Sequence, residues 1–191
     1  MMMASMMALT ATGAEGQSAL RGCVKIQLHA VAPVSPIVVL RARATAAAIF
    51  GEIGVAVYWA KSEAPARGAA CFPIDIQIDR DSPTKLQRDA MAFALPYSHG
   101  GTQIHVFLDR VLQHRSQGQD GVVLGYVMAH EIGHVLEGIS RHSTEGVMKA
   151  HWHNEDFAAM FTCSLAFAAT DMELIQTGLS KMREAALLAA N

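Results

Sequence analysis

The sequence predicts an α+β domain, with a twisted, mixed β-sheet of about four strands packed against an N-terminal helix and a long apolar helix, and further helices towards the C-terminus. Short stretches of alternating apolar and polar residues are the first sign, because a period of two buries one face of a strand. The second is a strand–helix–strand unit early in the chain, of a length that suits a parallel pair joined by a crossover. The third is the apolar run Val122-Val123-Leu124-Gly125-Tyr126-Val127-Met128-Ala129, continued by Val135-Leu136, which is too long for a buried strand.

Val24-Lys25-Ile26-Gln27-Leu28-His29-Ala30 alternates and reads as a half-buried strand. Ser35-Pro36 supplies an N-cap and a first-turn proline, opening a helix that runs through an Ala-rich segment to about Ile53 and ends at Gly54. Val55 to Ala60 is a second strand, and Ser62 to Cys71, with Pro65 and Gly68, is a loop. Ile74-Asp75-Ile76-Gln77-Ile78-Asp79 is the cleanest alternation in the chain. Asp81 to Ser98 contains Pro83 and Pro96 and reads as irregular with a short helix. Gly100-Gly101 then releases the chain into a strand from Gln103 to Leu108.

The long helix spans about Gly121 to Glu137 and stops at Gly138. Past a loop at 139–153, one helix starts near Glu155 and another after Thr170, where Thr170-x-x-Glu173 has the form of a capping box. There is no internal repeat and no interdomain linker, so residues 23–191 are expected to form a single domain.

With 191 residues, 51% of them hydrophobic, the chain has enough apolar surface to bury a core. A net charge of −2 gives no footprint for nucleic acid. No apolar stretch reaches the roughly 20 residues of an integral membrane segment. Met1 to Ala14 is uncharged and Met- and Ala-rich, without the Lys or Arg that opens a secretory signal. Residues 1–22 therefore read as a poorly ordered tail or a degenerate signal segment, the latter implying a secreted or periplasmic chain. Cys23, Cys71 and Cys163 lack metal-type spacing and are expected as buried free thiols, with a Cys23–Cys71 bridge as the alternative in an exported protein.

The chemistry concentrates in His130-Glu131-Ile132-Gly133-His134. On a helix, positions i and i+4 share a face one turn apart, so His130 and His134 can present two imidazole nitrogens to one cation. Glu131 then lies beside the metal rather than on it, where a carboxylate can take a proton from a metal-activated water. Without a partner, two imidazoles and a carboxylate in so apolar a helix would be costly. A catalytic zinc site takes a third protein ligand, and His142, His151, His153 and Glu155 are the downstream candidates. Tyr97, His99 and His105 precede the motif, and nothing in their spacing demands a place in it. Glu137 is expected to be solvated.

His130-Glu131-x-x-His134, the glycine Gly138, His142-Ser143 and Gly146-Val147-Met148 together resemble the metzincin group of zinc peptidases, and most of all its matrixin branch. The strong part of the resemblance covers about thirty residues, Glu131 to Trp152 at its centre. It implies a zinc-dependent endopeptidase acting on peptide or protein substrates, with His130, His134 and His142 as metal ligands, Glu131 as general base and Met148 as the turn methionine beneath the metal. It also implies that the strand at 103–108 lies at the sheet edge over the cleft, where an extended peptide can add by β-augmentation. The spacing departs from the family pattern: Gly138 and His142 follow His134 by four and eight residues, where the pattern has three and six. The rival is a gluzincin-type site in which Glu155, after Asn154, is the third ligand. A zinc-binding protein that recognises a peptide without turnover, and a metal-free chain with an accidental motif, are the two other classes.

Overall fold

The computed structural model describes residues 22–60, 71–83, 90–98, 101–114 and 118–189. The reading of residues 1–22 as a tail or signal thus falls, but for Gly22, outside the described residues, as does the loop reading of 62–70. The strands are β1 (Gly22–Ala30), β2 (Val55–Trp59), β3 (Phe72–Asp79), β4 (Ala92–Ser98) and β5 (Gly101–Phe107). The helices are α1 (Pro36–Glu52), the short α2 (Leu108–Val111), α3 (Asp120–Glu137), α4 (Asn154–Phe161) and α5 (Ala169–Ala189).

The fold is the α+β arrangement the patterning predicts. A mixed sheet in the order β2-β1-β3-β5-β4 carries parallel pairs throughout except for β4, which runs antiparallel to β5. Alternation decides which face is covered. Val24, Ile26, Ile74, Ile76, Ile78, Ile104 and Val106 are all buried, whereas Lys25 and Gln27 are exposed and Asp75, Gln77, Asp79 and His105 are half-buried on the other face. α1 and α3 pack on one another and contribute with the sheet to one core. Their approach is close enough that a Cβ on Gly125 would lie 2.6 Å from Thr45 Cβ and 2.8 Å from the Ala42 carbonyl oxygen. Among the described residues no helix is long and apolar enough to cross a membrane.

Four local expectations change. First, Ala92–Ser98 is a strand and not an irregular segment. Pro96 hid it, yet proline is tolerated on an edge strand, and the β4–β5 register shifts between Leu95 and Ser98, where the proline sits. The edge of the sheet next to the site is consequently β4, and the 103–108 strand lies inside the sheet between β3 and β4. Second, Cys23 and Cys71 form a disulfide, and Cys163 is exposed. The reason is register: Val24 pairs with Phe72, so the two cysteines stand side by side where β1 and β3 begin.

Third, Ser35 occupies the N-cap position of α1 without a side-chain capping bond, and its carbonyl accepts the N–H groups of Val38 (3.0 Å) and Val39 (3.2 Å). Fourth, α5 starts at Ala169, one residue before Thr170, and its first turn is capped by Asp171 rather than by a Thr170–Glu173 box. The Asp171 carboxylate accepts the Ala168 N–H at 3.2 Å.

Candidate metal centre

α3 carries His130 and His134 one turn apart, as the i, i+4 spacing requires. Their Nε2 atoms lie 3.0 Å apart and their rings meet edge-on. The helix ends at Gly138, whose φ of 69° is left-handed, and whose N–H still bonds the His134 carbonyl oxygen. Glycine takes that conformation without a Cβ penalty, so the chain turns back sharply. The return brings His142 Nε2 to 3.3 Å from His134 Nε2. One nitrogen from each of His130, His134 and His142 lies within 4.8 Å of the others, despite the longer spacing of the third histidine.

Two ring orientations are set by the backbone. His130 Nδ1 lies 2.8 Å from the Val147 carbonyl oxygen, and His134 Nδ1 3.3 Å from that of Ile139. A carbonyl only accepts, so each Nδ1 carries the proton and each Nε2 offers its lone pair inwards. Burial, only partly offset by the bond to Val147, lowers the His130 pKa to about 3, with His134 and His142 adding to the effect. Burial also lowers His134, helped by His142, and lowers His142, helped by His151 and Arg141. Neutral imidazoles are the form that binds a metal. Glu131 is 8% exposed, and burial pushes its pKa up to about 8. A divalent cation beside it favours the carboxylate again.

The turn after the loop is fastened from several sides. Gly146 has a left-handed φ of 74°, Ser143 N–H bonds the Met148 carbonyl oxygen at 2.8 Å, and Val147 N–H bonds that of Ala166 at 3.0 Å. Met148 is fully buried, and its Sδ would be 2.5 Å from a Cβ at Gly133. The glycine inside the His-Glu motif is therefore the slot that seats this methionine against α3.

These groups open on a cavity of about 710 Å³. Glu131 and the three histidines line it with Ala90 to Phe93, which lead into β4, with Arg110 from α2, with Trp152 just before α4 and with Phe157 on it. Trp152 stands edge-on to His130 at 5.5 Å between ring centroids.

The other candidates separate clearly. His151 is exposed and lines the cavity, and His153 precedes α4, its N–H bonding Asp156 at 2.7 Å. Glu155 is exposed in the first turn of α4 and is not among the cavity-lining residues. His105 lies on the outer sheet face, 2.7 Å from Asp79, while His99 and the side chain of Tyr97 lie outside the described residues. Glu137, expected in solvent, is 8% exposed. Sequence reasoning missed the β4 wall and Asp171, whose carboxylate binds Arg141 and Ser143 on either side of His142. The capping form around Thr170 was the one local signal near Asp171, and it pointed to the wrong acid.

No protein-family model matches the sequence, and no curated protein matches it either. In structure the chain is similar to archaemetzincin from Methanopyrus kandleri, with a TM-score of 0.50 and 16% sequence identity over 90% of this chain and 99% of that one. At that identity the likeness establishes the fold alone, and three histidines on it could hold a metal ion.

Proposed function

We propose that the chain is a zinc-dependent endopeptidase with a metzincin-like site of matrixin type, in which His130, His134 and His142 hold zinc through Nε2 and Glu131 is the general base. One observation carries the reading. With both Nδ1 protons committed to carbonyls, the Nε2 lone pairs of His130 and His134 face one another at 3.0 Å and repel unless a cation lies between them. Two Zn–N bonds of ~2.0–2.1 Å at a tetrahedral angle put their nitrogens roughly 3.3 Å apart. The separations of 3.0 and 3.3 Å here fit that donor set.

Zinc, when bound, supplies a Lewis acid that acidifies water and polarises a peptide carbonyl. Glu131 accepts the proton of the attacking water and delivers it to the leaving amine. Val147 and Ile139 keep His130 and His134 in the tautomer that leaves Nε2 unprotonated. Trp152 and Phe157 on one side and the start of β4 on the other exclude water from the bond being cut. The outer edge of β4, the edge strand among the described residues, is where an extended peptide pairs by β-augmentation, rather than the 103–108 strand.

Zinc content measured by elemental analysis, together with turnover of unstructured peptides, tests the assignment. Wild type and Glu155→Gln are expected to carry one zinc per chain, and His142→Ala to lose it. Loss in Glu155→Gln alone would transfer the third ligand to Glu155, and zinc without turnover would leave a peptide-recognition protein.

A further inference from the structure

Asp171 is 0% exposed, the most deeply buried of the charged side chains described, and nothing in the chemistry above uses it. An isolated carboxylate is costly so far from water, and this one is repaid by the partners it holds. Its Oδ1 accepts bonds from Arg141 Nη2 and Ser143 Oγ, and its Oδ2 accepts the Ala168 N–H. Arg141 also donates from Nη2 to Ser143 Oγ at 3.1 Å and from Nη1 to the His142 carbonyl oxygen at 3.4 Å. Both neighbours of His142 thus end on one carboxylate in the first turn of α5, 30 and 28 residues further along the chain.

The other two histidines need no such device. They sit on a rigid helix, and each ring is oriented by a carbonyl. His142 stands on a loop, and among the described residues its Nδ1 makes no comparable bond. Its placement falls to the backbone on either side.

We propose that Asp171 is the positioning residue of the third histidine: by gripping Arg141 and Ser143 it fixes residues 141–143 so that His142 Nε2 meets those of His130 and His134. This rests on the zinc reading above, in which the clamp sets metal affinity. Loss of a group that orients a ligand costs roughly 10–100-fold in metal affinity.

Two measurements on the full chain test it: hydrogen exchange of residues 139–145 in the metal-free protein, and zinc affinity by competition with a chromophoric chelator. Asp171→Asn is expected to speed exchange at the Ser143 N–H and to weaken zinc binding roughly 10–100-fold. Ser143→Ala is expected to act in the same direction to a smaller degree. Ile175→Val, a buried change elsewhere on α5, is expected to lower Tm while leaving the zinc affinity alone, which separates positioning from general loss of stability.

A folded Asp171→Asn protein with wild-type zinc affinity overturns the proposal. If Asp171→Asn does not fold, an unchanged affinity in Ser143→Ala does so. Should the wild type take up no zinc, the zinc reading fails on its own; faster exchange in Asp171→Asn still supports the clamp, and unchanged exchange removes it.

Discussion

His130 to His134 and Gly138 to Lys149 furnish the same centre by opposite means. The first stretch is helix, so the distance between its two imidazoles follows from a rise of 1.5 Å per residue and a period of 3.6. The second has almost no regular structure, and its one histidine is placed by contacts from elsewhere: the Val147 carbonyl on His130, the Ala166 carbonyl on Val147, and Asp171 on Arg141 and Ser143. A site half built on helix geometry and half on distant anchors has two kinds of weakness. Substitutions of His130, Glu131 or His134 are expected to remove a function directly, whereas His142 can also be displaced through residues outside the proposed ligand set.

The largest expected effect belongs to the helix. Glu131→Gln keeps the shape of the side chain and removes its basicity, and is expected to lower peptide hydrolysis by about 10²–10⁴-fold. Zinc stoichiometry, read by elemental analysis, is expected not to change, because the proposed site does not use Glu131 as a ligand. Hydrolysis at the wild-type rate would mean that the helix supplies metal ligands and nothing more.

Next comes a change outside both stretches, which calibrates the rest. Replacing Cys23 and Cys71 together with Ser removes a bridge from β1 to the residue just before β3, with an expected cost of about 2–4 kcal/mol in denaturant unfolding. Zinc affinity of the folded fraction is expected to stay as in wild type. A large loss of affinity would show that the sheet, and not only the local anchors, governs the site. A bridge of this kind persists in oxidising compartments, so the same loss of stability is expected from dithiothreitol.

Gly133→Ala joins the two stretches, since the new methyl group meets Met148 Sδ 2.5 Å away in a fully buried position. The expected cost is about 1–3 kcal/mol of stability, seen as a fall in Tm, with Met148→Leu tolerated better because volume is kept. A neutral Gly133→Ala would mean that the turn yields easily and that helix and loop are less coupled than their packing implies.

The same division explains what could be read in advance. The helix from Gly121 to Glu137, its stop at Gly138 and the pairing of His130 with His134 depend on residues within a turn or two of each other, and the chain declares them. The strands with clean alternation, Ile74 to Asp79 above all, are equally local. β4 is not, because Pro96 argues against a strand unless the segment is known to be an edge. The Cys23–Cys71 bridge depends on which strands become neighbours, a question the alternation of each strand leaves open. Asp171 looks like any first-turn acid until the fold carries it to Arg141, 30 residues back.

Glu137 brings the comparison to its finest point, because it lies where helix gives way to loop. Both of its carboxylate oxygens are buried and have no hydrogen-bond partner among the described residues. Burial, with Asp171 adding to it and Arg141 opposing, raises its pKa to about 7. The folded chain therefore holds this proton more tightly than the unfolded chain, whose glutamate titrates at the ordinary value of 4.5. The contribution of Glu137 to stability is then fully present below that value and is lost as the pH rises towards 7, where the buried side chain must carry its charge. Glu137→Gln removes this contribution and leaves those of the other buried groups in place. The variant is expected to lie about 1–2 kcal/mol below wild type near pH 4, because a buried amide also goes unpaired, and to exceed it by about 1–2 kcal/mol at pH 8. Urea unfolding across that range checks the sign: a variant that loses ground to wild type as the pH rises would mean that Glu137 is charged and compensated in the fold, and that helix and loop meet through an ion pair with Arg141.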